Sequence, residues 1–179
     1  IELPRPGNYK TISILEKPLL LVRGNDGRAR AFLNVCRHRG ARICEAEEGV
    51  VKKFSCPYHS WVYDLQGNLT SRYAANTFGE LDHSSLGLTP IGCEEEAGVI
   101  WLTLDSSEPI DIKNWLGGMR PKLASLDLGN WHLFKKRELE GPGWKVTMDG
   151  YLEIYHHNTV HGRTVGQHTI GNLLVLDTH

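Results

Sequence analysis

The chain has 179 residues, 40% of them hydrophobic and 23% charged, with a formal net charge of −1. That length holds one good core, or a small domain and part of a second, and the near-neutral balance excludes a broad nucleic-acid or anionic-membrane surface. No apolar run approaches the ~20 residues needed to cross a bilayer, and nothing at Ile1 reads as an export signal, so a cytoplasmic protein is expected.

Ile1-Glu2-Leu3-Pro4 reads as text from within a protein. Residues 1–105 then read as short strands joined by turns. Leu19-Leu20-Leu21-Val22 is an apolar run, Gly24-Asn25-Asp26-Gly27 a turn, and Ala29, Ala31, Leu33 and Val35 alternate after it. That predicts a hairpin leading directly to Cys36. Lys53-Phe54-Ser55-Cys56 is a second short strand. Trp61 to Leu65, Gln66-Gly67-Asn68 and Leu69-Thr70 form another hairpin, and Gly98 to Leu104 is the last clear strand. Many short strands with Gly-rich turns predict a small antiparallel all-β domain. Asp105-Ser106-Ser107-Glu108-Pro109 breaks the pattern. Residues 106–130 read as a connecting segment with some helix, and residues 131–179 as the start of a second domain. Trp131 to Glu140 is its expected first strand, and Pro142 stands near the start of a helix. Asn172 to Asp177 reads as a strand in progress, so both ends are expected to lie inside a longer chain.

Two constellations carry chemistry. The first is Cys36-Arg37-His38 and Cys56-Pro57-Tyr58-His59, with seventeen residues between His38 and Cys56. Each pair follows a predicted strand, so two loops can pinch one metal centre. Two thiolates and two imidazoles suit a tetrahedral zinc, but zinc sites of this composition more often space Cys with Cys and His with His. Here each loop carries one sulfur and one nitrogen. That suits two irons bridged by sulfide, one taking both cysteines and the other both histidines, with a reduction potential above that of an all-Cys cluster. Cys44 and Cys93 read as small buried thiols, and His83 and His132 as surface or core histidines.

The second constellation lies in Trp144 to His157, read as one helix. Trp144, Met148, Tyr151, Leu152 and Tyr155 make an apolar stripe at helical period. Glu153, His156, His157 and His161 lie roughly opposite. Imidazole and carboxylate are the ligands of a facial-triad Fe(II) site. Helix geometry alone prefers His157 and His161, about 40° apart; His156 and His161 are about 140° apart on an undistorted helix, so that pair requires a bulge or a break.

Cys36-Arg37-His38-Arg39-Gly40 with Cys56-Pro57-Tyr58-His59-Ser60-Trp61 resembles the Rieske motif of ring-hydroxylating and related non-haem iron oxygenases. The resemblance covers nearly all of residues 1–105. Ser60 stands where the motif usually has Gly, and neither loop has a spare cysteine for the disulfide of respiratory Rieske proteins. Glu153-x-x-His156-x₄-His161 is similar to the same family's Asp/Glu-x-x-His-x₄-His pattern. Gly150 replaces an Asn often found near the iron.

The resemblance implies that Cys36, His38, Cys56 and His59 bind a [2Fe–2S] cluster in residues 1–105. It implies that His156 and His161 bind a mononuclear Fe(II), with His157 as rival, and that Glu153 bridges the two metal centres between subunits of a trimer. The implied third iron ligand is an Asp or Glu beyond residue 179, Asp177 being the only nearby candidate. The implied fold is α+β, the all-β Rieske domain followed by the start of a helix-grip catalytic domain in residues 131–179. The implied activity is hydroxylation or dihydroxylation of an aromatic compound or a quaternary amine with O₂. Glu in place of the commoner Asp at position 153 looks more like the quaternary-amine branch. The implied partners are a ferredoxin, a flavoprotein reductase or both, NAD(P)H entering only through the reductase, in a homotrimer or an (αβ)₃ assembly with no nucleic acid and no membrane. The alternative is a Rieske ferredoxin-like electron carrier without catalysis, which residues 1–105 alone satisfy.

Overall fold

The computed structural model describes residues 2–105 and 109–168. The chain forms two compact units, Ile1–His132 and Leu133–His179.

The first unit is built on antiparallel sheets. Strands β1 (Asn8–Ile14), β2 (Lys17–Arg23), β3 (Ala29–Leu33), β4 (Glu48–Val50), β8 (Pro90–Glu96) and β9 (Val99–Thr103) form a six-stranded sheet in the order β4-β1-β2-β3-β8-β9. Strands β5 (Phe54–Ser55), β6 (Val62–Tyr63) and β7 (Leu69–Ser71) form a small sheet of three. The Leu19 to Val22 run is continuous because β2 is covered on both faces. Leu19 and Leu21 join Leu3 and Ala31 in one core cluster, while Leu20 and Val22 join Phe32, Phe54, Trp61 and Tyr63 in the other. Alternation is lost where neither face meets water. The second cluster ties the two sheets together, with Tyr9 edge-on to Phe54 at 5.7 Å between centroids.

The expected hairpins form. β2 pairs with β3 around Gly24, whose N–H donates to Arg28 O at 2.9 Å. β6 pairs with β7 around Asp64, whose carboxylate accepts from the N–H groups of Gln66 and Asn68. Gly67 turns there at φ 87°, and a Cβ on it would stand 2.5 Å from the Phe32 ring. β1, β4 and β8 are additions to the sequence reading. β8 carries Glu94-Glu95-Glu96, a poor strand until its partners are seen. Glu94 accepts from Ile112 N–H at 2.8 Å, Glu95 pairs with Arg23 and Glu96 with Arg120. Helices α1 (Ile112–Leu116) and α2 (Met119–Ala124) follow β9, and Ile112 and Leu116 are buried.

The second unit has no strand among its described residues. Residues 131–141 carry neither helix nor strand and are exposed throughout, which corrects the expected strand at Trp131 to Glu140. A lone strand leaves its N–H and C=O groups without partners, and among the described residues no strand pairs with it. The single helix expected from Trp144 to His157 is two, α3 (Trp144–Leu152) and α4 (His157–Val160). Glu153 is extended at φ −98° and ψ 120°. Its carboxylate accepts the His156 N–H at 3.1 Å, a local bond that competes with helix continuation. The first four residues of the stripe, Trp144, Met148, Tyr151 and Leu152, keep their helical spacing on α3 while Tyr155 lies past the break, and all five are solvent-facing, from 47% exposed at Met148 to 94% at Tyr155. The expected strand at Asn172 to Asp177 and the candidate ligand Asp177 lie outside the described residues.

Candidate metal centres

The two loops of the first constellation are congruent. Cys36 N–H donates to Ala41 O at 2.7 Å, and Gly40 N–H to Cys36 O at 3.0 Å. In the other loop Cys56 N–H donates to Trp61 O at 2.8 Å, and Ser60 N–H to Cys56 O at 3.0 Å. Each loop turns through a left-handed residue at the same place, Gly40 at φ 73° and Ser60 at φ 54°. Two side chains brace this geometry. Asn34, the one buried polar residue in the described core, accepts from Ile43 N–H and Cys44 N–H at 3.1 and 3.0 Å and donates to Cys44 O at 2.7 Å. The Tyr63 hydroxyl lies 3.3 Å from Cys36 Sγ and accepts the Arg37 N–H at 3.2 Å. Sequence reasoning assigned neither residue. Asn34 had a signal, a polar side chain between apolar neighbours just before a candidate ligand.

The donors sort by depth. Cys36 and Cys56 are buried, are free thiols and lie beside each other. Burial pushes the Cys36 thiol up, the Tyr63 hydroxyl and the His38 N–H pull it down, and the neighbouring Cys56 raises it. His38 is half-buried and His59 exposed, their rings edge to face with centroids 4.7 Å apart. Burial, then the neighbouring His59 and Arg39, hold His38 below its ordinary value. The His38 Nδ1 is buried and has no hydrogen-bond partner. A buried polar atom without a partner is costly, and a metal bond would satisfy it. Among the described residues no three His, Cys, Asp or Glu side chains converge on one point. A single zinc asks for such convergence, whereas a binuclear cluster takes its donors in twos. A thiol pair inside and an imidazole pair outside fit the second demand.

In the second constellation the helix break leaves His161 near both His156 and His157. Ring centroids are 5.6 Å apart for His156 and His161, and 5.8 Å for His157 and His161. Distance therefore does not separate the two candidate pairs. The Glu153 Oε2 lies 2.7 Å from His156 Nδ1. A carboxylate only accepts, so that nitrogen carries the proton and Nε2 is left as the electron-pair donor. A histidine so held by a carboxylate is in the tautomer and orientation metal ligands use. The same contact holds the Glu153 carboxyl below its ordinary value.

Cys44 and Cys93 are partly buried, and burial pushes both thiols up to about 11, as inert thiols require. His83 pairs with Arg72 at 2.6 Å, and His132 is exposed. Among the described residues no helix is long and apolar enough to cross a membrane.

Residues 1–81 match the Rieske [2Fe-2S] domain model. The chain is 36% identical over 162 residues to the glycine betaine monooxygenase oxygenase subunit of Chromohalobacter salexigens, covering 89% of this chain. It spans only 36% of that relative's length. The crystal structure of the quaternary ammonium Rieske monooxygenase CntA with substrate L-carnitine superposes with a TM-score of 0.83 and 29% identity, over 90% of this chain and 47% of that one. Naphthalene 1,2-dioxygenase with indole bound in the active site superposes with a TM-score of 0.71 and 30% identity, over 89% of this chain and 37% of that one.

Proposed function

Since residues 1–81 are a Rieske [2Fe-2S] domain and the chain is related over most of its length to Rieske oxygenase subunits, we propose that it is part of an oxygenase component acting with O₂ on a small organic substrate. The substrate class we favour is a quaternary amine. The support is that glycine betaine and carnitine monooxygenase subunits are among its relatives, at 36% and 32% identity, and that Glu stands at position 153. A ferredoxin or flavoprotein reductase is the proposed electron donor. Residues 106–130 are the proposed connection to a catalytic domain that begins at residue 131.

We assign the cluster to Cys36, His38, Cys56 and His59, and the mononuclear iron to His156 and His161 with a further ligand from outside the described residues. Bound there, the cluster supplies one-electron exchange and the iron supplies O₂ activation beside the substrate. The chain's own residues do the rest. The congruent loop turns aim two thiols inward and two imidazoles outward. The Tyr63 hydroxyl touches the Cys36 sulfur, and hydrogen bonds to cluster sulfur raise a cluster's potential. Glu153 holds the His156 Nδ1 proton and so presents Nε2; we give it the bridging role between the two metal sites as well. The observation that carries the cluster reading is the buried, unpartnered Nδ1 of His38 beside an inward thiol pair.

Metal analysis of the full-length natural protein tests both assignments. Acid-labile sulfide with about three irons per chain is expected. About two irons would make the protein an electron carrier of the ferredoxin kind. A colourless protein without acid-labile sulfide after anaerobic reconstitution would overturn the cluster itself.

A further inference from the structure

Residues 72–86 lie between β7 and β8 and belong to neither ligand loop. They carry Phe78, whose ring stands edge-on to His38, with centroids 5.9 Å apart, and edge-on to Trp61 at 6.0 Å. Trp61 in turn lies flat on the His38 ring at 4.8 Å with only 7° between planes. The Arg72 guanidinium sits over the Phe78 ring, 5.6 Å from its centroid. Arg72 NH1 is 2.6 Å from His83 Nε2. A guanidinium only donates, so His83 is the acceptor and tethers Arg72 in place. The segment is pinned at both ends, by buried Leu69 in β7 and by buried Leu88, whose N–H donates to Gly67 O at 2.7 Å.

The loop turns fix the backbone of His38 but leave its ring torsion free, and that torsion is broad for imidazoles. The Nδ1 makes no hydrogen bond that would hold the ring. Until a metal bond forms there, packing sets its angle. We propose that Phe78, tethered through Arg72 and His83, is a positioning residue that closes an aromatic slot around His38 and sets the angle this imidazole would present to the cluster. This role rests on the assignment of the cluster to Cys36, His38, Cys56 and His59. It concerns the half-buried histidine alone, since His59 is exposed and has Tyr58 tilted over it at 3.8 Å.

The test uses the full-length protein with its cluster, in the parent and in Phe78→Leu, Phe78→Tyr and Arg72→Gln. The readouts are the linewidth of the reduced cluster's paramagnetic resonance and the rate of iron release to a ferrous chelator. Phe78→Leu is expected to keep the parent's iron and sulfide content, broaden the lines and speed iron release about tenfold, the size of effect seen when a ligand's supporting contact is lost. Phe78→Tyr keeps the ring and is expected to match the parent, with Arg72→Gln between the two. Parent-like lines and release in Phe78→Leu would overturn the proposal. If Phe78→Leu does not fold, Arg72→Gln decides, because it leaves the core ring in place: broadened lines support the slot and unchanged lines overturn it. A parent without acid-labile sulfide is a separate result, which removes the cluster reading and the slot with it.

Discussion

Ser60 occupies the left-handed turn that Gly40 occupies in the companion loop, at φ 54° against 73°. A side chain there costs about 1–2 kcal/mol, and glycine's extra freedom in the unfolded chain returns part of that. Ser60→Gly is expected to stabilise the domain by up to about 1 kcal/mol, read as a rise of a few degrees in Tm. An unchanged or lower Tm would mean that the Ser60 side chain contributes a contact that offsets the strain. At this scale the sequence was informative about ligand types and silent about their supports. Cys36, His38, Cys56 and His59 stood out because each of two loops carries one Cys and one His, spaced Cys-x-His in the first and Cys-x-x-His in the second. Tyr63 and Phe78 were not, because an aromatic residue near a strand or turn looks the same whether it fills a core or braces a ligand.

Among the elements, β1 was missed for a definite reason. Its hairpin with β2 turns on Leu15 and Glu16, both at positive φ, 48° and 64°. Such two-residue turns favour Asn-Gly, and Leu-Glu carries no turn signal. Replacing Leu15-Glu16 by Asn-Gly is expected to stabilise the first unit by about 1–2 kcal/mol, measured as a shift of the denaturation midpoint at constant slope. β8 was missed because its three consecutive glutamates carry no strand signal. Glu95 accepts from Arg23 and from the Ala29 N–H at 3.3 Å, and these bonds hold its carboxyl below the ordinary 4.5. A depressed folded value means that the contribution is complete above about 4.5 and disappears as pH falls through the folded value. The pair is partly exposed, so the contribution is at most about 1 kcal/mol. Glu95→Gln should lower stability by that amount at pH 7, with the deficit shrinking as pH falls below about 4.5; a deficit that does not change with pH would show that charge is not the cause. The helix of the second constellation was legible in its start and its stripe. Its break was not legible from periodicity, because a side chain capping the next turn, Glu153 on His156, decides it.

On the scale of the whole molecule, the all-β organisation of residues 1–105 was legible from turn spacing. The second unit was legible only as motif, since its described residues bury almost nothing of their own. Residues 131–140 are exposed and without regular structure. Trypsin is therefore expected to cut the 179-residue chain first at Lys135, Lys136 or Arg137, leaving residues 2–132 resistant; first cuts within the sheets, seen by mass spectrometry, would contradict the division into two units. The pairing of β3 with β8 has a consequence of another kind. Ala31 faces Ile91 and Phe32 faces Pro90, so the polypeptide departs from the large sheet and comes back to it on adjacent strands about 5 Å apart. Residues 34–89, which would grip the cluster, thus begin and end at one place on the large sheet and are held to it a second time where β4 joins β1. A host for that segment would have to offer both a gap between neighbouring strands and a free edge for β4.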